Sequence, residues 1–477
     1  MSENNCRIEF SQKKEINLIS ERESIDSNPN QINDGKISKL NENENSDYKE
    51  STCSIKEGSV QGCAFTLSAI ALGTGSFSLP VRCTQIGCFW YSIAIIIGAY
   101  ASYWTLSILI KAGLTVKSEE YSTTVKKIIG RIPAIILDVI LLVYIFGVLI
   151  QYYVLVYSLI GRSYLEFFGD KKKYTDFDVF KKEVWDLYYI KYPVMFGLTI
   201  LISPACLLKD IGKMRYVSYF GITAYIYTFL VLIIESPWFY AEYKKNTYKE
   251  DDPSTHPNWF DISKGFTSDL NFCTGMATVF FTYACHTGVF PVYKTLKNKT
   301  PSRINGVFIR SVLLNLVIYL LIAICGFITD PLSTDALIIF RKSIFKNDIF
   351  MNIAKVSLAV DLYLCIPTNY NSLRSSFFIL FFGSDDIKTC KNIILTFSII
   401  ITAAFIACVY EDILSYLSLL GGFFCSIICF LIPGALIVMA NKEKIFSCVN
   451  IIRIICVSIL CIIGFTAAII TIVKSFS

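Results

Sequence analysis

The sequence predicts an all-α protein that crosses a membrane many times, and three observations carry that prediction. Hydrophobic residues make up 54% of the 477-residue chain and charged residues 17%, a balance too apolar for an ordinary soluble protein of this length. About eleven stretches of roughly 17 to 25 residues are uncharged or nearly so, each long enough to span about 30 Å of hydrocarbon as a helix. These stretches are continuously apolar rather than alternating, so they are not barrel strands, and helices remain as the structure that satisfies its own backbone in lipid.

Residues 1–56 come first, rich in Asn, Glu, Ser and Lys and poor in aromatics, with no apolar core for a signal peptide. They read as a disordered cytosolic tail. Acidic residues outnumber basic ones there, which argues against electrostatic docking on anionic lipid. The spans follow near 59–84, 86–110, 132–162, 190–208, 216–235, 270–294, 309–329, 351–381, 392–410, 413–440 and 452–473. Lys111, Lys117, Lys126, Lys127 and Arg131 fall between spans two and three. Lys209, Lys213 and Arg215 fall between four and five, and Lys294, Lys297, Lys299 and Arg303 between six and seven. The positive-inside rule puts these loops and the N-terminus in the cytosol, and an odd number of spans puts the C-terminus on the other side.

Several function classes lack their parts. Most of the 17 cysteines lie inside apolar spans, and the loops 163–189, 241–269 and 330–350 contain none; they read as small apolar residues rather than a disulfide framework. His256 and His286 are the two histidines, and no zinc-type CxxC pair accompanies them, so no metal site, cofactor or Ser-His-Asp hydrolase is implied. The expected partners are the lipid bilayer and a small molecule, not nucleic acid. The sequon Asn298-Lys299-Thr300 lies in an expected cytosolic loop and would go unused.

Two spans carry helix-weakening residues near their middles. In span one Gly73, Gly75 and Pro80 interrupt "LGTGSFSLP", and in span six Gly288 and Pro291 interrupt "FFTYACHTGVFP". Glycine costs about 1 kcal/mol and proline about 3 in a helix interior. The two breaks are five spans apart, the pattern of an inverted-repeat transporter that holds substrate at mid-membrane between broken helices. Freed amides at a half-helix N-terminus suit a carboxylate, and freed carbonyls suit a cation. The bland alternative is that Gly and Pro merely permit kinks and close packing, which is sufficient for Pro204, Pro367 and Pro433 taken singly.

"LSAIALGTGSFSLPVRCTQIG" (Leu67 to Gly87) resembles the first-helix signature of the amino acid/auxin permease family, and "FFTYACHTGVFPVYKTLKN" (Phe280 to Asn298) its sixth-helix signature. "CIPTNYNSLRSSFF" (Cys365 to Phe378) and "LSLLGGFFCSIICFLIPGAL" (Leu417 to Leu436) are similar to its eighth and tenth helices. The resemblance implies a LeuT-like fold of eleven helices: a first repeat over 58–236, a second over 265–441 and an extra helix over 450–473. It implies amino acid transport by alternating access. Carried over residue by residue, Gly73, Thr74 and Gly75 offer backbone amides to the substrate carboxylate. Ile70, Ala71, Phe281, Tyr283, Ala284 and Cys285 would surround its amino group and side chain.

Ser357, Asp361, Cys365, Thr368 and Ser372 recur at helical spacing and share one face of span eight. Insertion scales charge roughly 3 kcal/mol for an ionised Asp at mid-membrane, and protonating an Asp of reference pKa about 3.9 at pH 7 costs about 4. With the penalties comparable, Asp361, with Cys365 and Thr368 beside it, is a candidate for proton coupling, for pairing a cationic substrate, or for a structural role. Asp138 lies about 9 Å along its helix from Ile132, near enough to the interface to read as structural. His286 reads as a neutral, hydrogen-bonded histidine fixing the unwound segment, beside Gly288 and Pro291. Sodium-coupled relatives place an Asn where Ala69 stands, and a hydroxyl near Asp361, so the reading leans to a proton-coupled or uncoupled carrier. Arg82 stands where the family usually has a small or aromatic residue; it either shapes the entrance and disfavours cationic substrates or snorkels to the surface. The competing function is an amino-acid sensor that signals through its N-terminal tail; an enzyme is not expected.

Overall fold

The polypeptide folds, in a computed structural model, entirely as helices and connecting turns among the described residues, which are 58–169, 177–207, 215–249, 251–266, 270–332, 335–345, 348–382, 389–440 and 448–476. The expected tail, residues 1–56, lies outside them, as do Lys209 and Lys213. In chain order the elements are α1 (Val60–Ala71), a 3-10 turn (Thr74–Ser78), α2 (Leu79–Ile86), α3 (Cys88–Thr115), α4 (Tyr121–Ile128), α5 (Arg131–Phe168), α6 (Tyr188–Leu207) and α7 (Arg215–Asn246). Then come α8 (Asn271–Thr282), a 3-10 turn (His286–Gly288), α9 (Val289–Thr295), α10 (Pro301–Thr329), α11 (Ile349–Phe382) and α12 (Thr389–Val409). The chain ends with α13 (Ile413–Leu419), a wide-turned π stretch (Leu420–Leu431), α14 (Ile432–Ala440) and α15 (Cys448–Phe476).

Nine described helices are long and apolar enough to cross a membrane, and ten if α1 and the Thr74–Ile86 segment, bent by 56°, make one span. The difference from the expected eleven is span six, whose halves α8 and α9 are too short to qualify singly. Both predicted breaks are present. Pro80 sits in the first turn of α2, where a missing N–H costs nothing. By contrast Pro193 and Pro204 lie inside continuous α6, and Pro367 inside continuous α11, so single prolines do not break these spans.

Two buried apolar clusters hold the bundle. One draws on α1 to α3, α8 to α10 and the elements from the π stretch onward; the other on α5 to α7, α11 and α12. Phe281, next to the break after α8, packs against both. The interrupted segment therefore lies at the seam between them. Glycines bring backbones close around the π stretch. A Cβ added to Gly421 would fall 2.0 Å from the Ala277 carbonyl of α8, and one on Gly422 2.6 Å from the Gly464 carbonyl of α15. Backbone meets backbone at both contacts, which leaves no flexible side chain to yield.

A strap, Leu337–Arg341, is buried against the bundle. Ile338 and Ile339 are each 2% exposed, and Arg162 of α5 donates to the Phe340 carbonyl at 3.0 Å while lying 4.2 Å over that ring. Arg341 pairs with Glu235 of α7 in a buried salt bridge and lies 3.7 Å over Phe239.

Candidate functional site

Break one begins where α1 runs out. Leu72 N–H still bonds back to Ser68 at 2.7 Å, and the next backbone bond is Ser76 N–H to the Gly73 carbonyl at 3.1 Å. Among the described residues no acceptor is recorded for the amides of Gly73, Thr74 and Gly75, which precede the first closed turn. The local carbonyls are occupied instead: Ser76 Oγ donates to Gly73 O at 2.8 Å and Ser78 Oγ to Gly75 O at 2.7 Å. The serines of "GTGSFS" thus occupy the Gly73 and Gly75 carbonyls and leave the amides of the break as its open groups. Thr74 accepts at 3.1 Å from Gln151 Nε2 of α5, a residue with no exposure.

Break two is held from α3. Ser102 Oγ donates to the Tyr283 carbonyl at 3.3 Å, and His286 Nε2 lies 2.8 Å from Thr105 Oγ1. The Thr105 proton is engaged by the Ala101 carbonyl at 2.9 Å, so we assign the ring proton to Nε2, donating to Thr105. His286 is 1% exposed and joins the unwound segment to α3. Tyr283 and Cys285 are buried, Ala284 and Phe281 partly so, and the buried Tyr283 hydroxyl has no hydrogen-bond partner among the described residues.

The breaks meet. A Cβ on Gly75 would stand 2.8 Å from Thr282 Oγ1 and 2.9 Å from Phe281 Cδ1, and one on Gly288 would stand 2.4 Å from Ile70 Cδ1. Tyr319 of α10, wholly buried, lies with its hydroxyl 2.9 Å from both the Ala71 and the Thr282 carbonyls, the last residues of α1 and α8. One phenol proton serves two orphaned carbonyls, and the ring packs edge-on against Tyr283 at 5.0 Å. Ile70, Ala71, Gly73, Thr74, Gly75, Phe281, Tyr283, Ala284, Cys285, His286 and Gly288 are therefore gathered in one place. Pro291 stands apart, exposed on α9.

Asp361, Cys365 and Thr368 lie beside this region rather than in it. The Asp361 carboxylate presses on α7, where a Cβ on Gly221 would fall 2.4 Å from Oδ1, and Cys365 Sγ approaches Oδ1 at 3.9 Å. Tyr152 and Tyr225 are its neighbours in electrostatic range. The Tyr225 ring stacks on Phe77 of break one at 5.3 Å, with 9° between the planes. Cys365 and Thr368 are half-buried.

Arg82 does not snorkel. It is 4% exposed, with Nε bonded to Thr278 at 3.3 Å, Nη1 to Gln85 at 2.9 Å and Thr274 at 3.1 Å, and Nη2 to Ser418 at 3.1 Å. Asp138 accepts from Ser122 at 2.8 Å at the foot of α5, as a structural carboxylate does. Gln151, Tyr319, Ser102, Thr105 and the buried Lys355, six residues before Asp361, are further buried polar residues that the sequence pattern does not mark. The partners of the first four are far along the chain, and no local pattern marks them.

Comparison with known proteins gives the same direction. The chain is 22% identical over 359 residues to "Amino acid transporter AVT6E" of Arabidopsis thaliana, covering 73% of this chain and 69% of that one. It is 21% identical over 393 residues to "Sodium-coupled neutral amino acid symporter 2" of Danio rerio, covering 80% and 75%. It is 20% identical over 395 residues to "Sodium-coupled neutral amino acid transporter 7" of Mus musculus, covering 81% and 80%. These are transporters rather than enzymes. The sequence model of the family "Transmembrane amino acid transporter protein" matches residues 56–477, and this multi-pass membrane protein belongs to that family.

Proposed function

We propose that the chain carries amino acids across a membrane by alternating access, in a LeuT-like arrangement of two inverted five-helix repeats (58–236 and 265–441) and an extra helix (450–473). The N-terminal tail, 1–56, is then cytosolic. One observation carries this reading: the two interrupted helices meet at Gly75, Phe281 and Thr282, on the seam between the two apolar clusters. The amides of Gly73, Thr74 and Gly75 take the substrate carboxylate, since donors at a half-helix N-terminus favour an anion. Ile70, Ala71, Phe281, Tyr283, Ala284 and Cys285 surround the rest of the molecule, and His286 fixes the unwound segment through Thr105.

Coupling is to protons or absent, with Asp361 as the proton group and Cys365 and Thr368 its neighbours on α11. Ala69 has no side-chain oxygen for sodium, and the freed carbonyls of Ala71, Gly73 and Gly75 already have hydroxyl partners. Uptake of radiolabelled amino acids by proteoliposomes, with and without sodium and at two external pH values, tests the reading. Saturable, sodium-independent uptake is expected. Saturable binding with no net flux would replace it with the sensor reading, in which the tail relays the bound state.

A further inference from the structure

We propose that Arg82 sets the charge selectivity of the carrier: it admits neutral and anionic amino acids and rejects those with a cationic side chain. The inference rests on the transport reading above and names the substrate class of the same site. Its basis is a guanidinium that is 96% buried by the 4% exposure of its residue yet faces no carboxylate within ion-pair distance among the described residues. All its acceptors are neutral. Thr274 and Thr278 belong to α8, Ser418 to α13, and Gln85 to α2 itself. The two threonines spend their own protons on the Asn271 and Thr274 carbonyls and turn lone pairs to the guanidinium.

Neutral acceptors solvate a guanidinium without cancelling its charge, so its field persists in the surrounding protein. Asp412 is the carboxylate in electrostatic range, but it is exposed at the N-cap of α13, where water screens its charge, and it makes no ion pair with Arg82 among the described residues. Two of its acceptors, Thr278 and Thr274, stand four and eight residues before Thr282, the last residue of α8, so the guanidinium lies one to two turns along α8 from the paired breaks. One to two turns are about 6 to 12 Å, which puts the guanidinium roughly 8 Å from the break. At an effective dielectric of about 20, a second positive charge there is disfavoured about thirtyfold, the equivalent of roughly 2 kcal/mol at 1.4 per decade.

The test compares each cationic amino acid with a neutral near-isostere: lysine with norleucine, and arginine with citrulline. Purified protein is assayed by ligand-induced thermal stabilisation, which needs no flux, and reconstituted protein by competition against uptake of a labelled neutral amino acid. The unmodified protein is expected to bind lysine and arginine about thirtyfold more weakly than their isosteres. Arg82→Gln should close that gap to a fewfold, and Arg82→Lys should keep it. Equal affinities within the pairs in the unmodified protein, or an undiminished gap in Arg82→Gln, would overturn the proposal. If Arg82→Gln does not fold, the unmodified protein and Arg82→Lys decide by the same ratios. Failure of every amino acid to be taken up, with the binding gap intact, would sink the transport reading and leave the charge selectivity standing.

Discussion

Tyr319→Phe isolates the one hydroxyl that serves both broken helices. The substitution keeps the ring, and with it the edge-on packing against Tyr283 at 5.0 Å, and removes the donor shared by the Ala71 and Thr282 carbonyls at 2.9 Å each. Tyr319 has no exposure, so water does not readily replace the lost proton. Leaving a buried acceptor unsatisfied costs about 1–3 kcal/mol. Because one proton is lost, the cost is that of one bond, although two carbonyls share it. Membrane proteins in detergent unfold irreversibly, so the measurement is the half-life of folded protein at a fixed temperature, followed by size-exclusion chromatography. If the loss is expressed in the unfolding barrier, the half-life shortens about fivefold at the low end and about a hundredfold at the high end, at 1.36 kcal/mol per decade. A Tyr319→Phe protein as long-lived as the original would refute the idea that this hydroxyl holds the breaks together.

Gly75→Ala should shorten the same half-life by the equivalent of about 1–3 kcal/mol, because its Cβ would meet Thr282 and Phe281 at 2.8 and 2.9 Å. Gly73→Ala, whose Cβ would come no closer than 3.9 Å to a neighbour, the Ala71 carbonyl, should leave it unchanged; equal effects would contradict the packing described. Glu235→Gln strands the buried Arg341 and should cost about 3–5 kcal/mol in stability, with part recovered in the Glu235→Gln/Arg341→Gln double variant. Full additivity in that double-mutant cycle would show that the pair is not coupled. Asp361→Asn should abolish the response of uptake to a pH gradient, and an unaltered response would remove Asp361 as the proton group.

What the sequence made legible was local. Gly73, Gly75, Pro80 and Gly288 announce their breaks because backbone preference is written in the residue itself, and continuous apolar runs announce spans for the same reason. Pro204 and Pro367 look alike in sequence but lie in unbroken helices, since neighbouring packing decides whether a proline kinks or ends a helix. Tyr319 reads as one more aromatic in an apolar run. Its role exists only because α10 passes behind two helix ends that are 248 and 37 residues away in the chain. Gln151, Ser102 and Thr105 are hidden likewise. For Arg82 the sequence left burial and snorkelling equally open, because its acceptors Thr278 and Ser418 are 196 and 336 residues distant.

The glycine contacts of the π stretch have a mechanical meaning. With Gly421 set on the Ala277 backbone and Gly422 on that of Gly464, α8, the π stretch and α15 pack backbone to backbone as one strut, and any side chain larger than hydrogen at either glycine would prise it apart. The last helix is then ballast for the first half of the sixth span rather than an ornament on the bundle. Arg82, reaching from α2 to Thr274 and Thr278 of α8 and to Ser418 of α13, fastens the second half of the first span to that strut and to its neighbour. Separating α2 from α8 would have to break those hydrogen bonds, so the residue proposed to sort charge is also a clasp between the two interrupted spans.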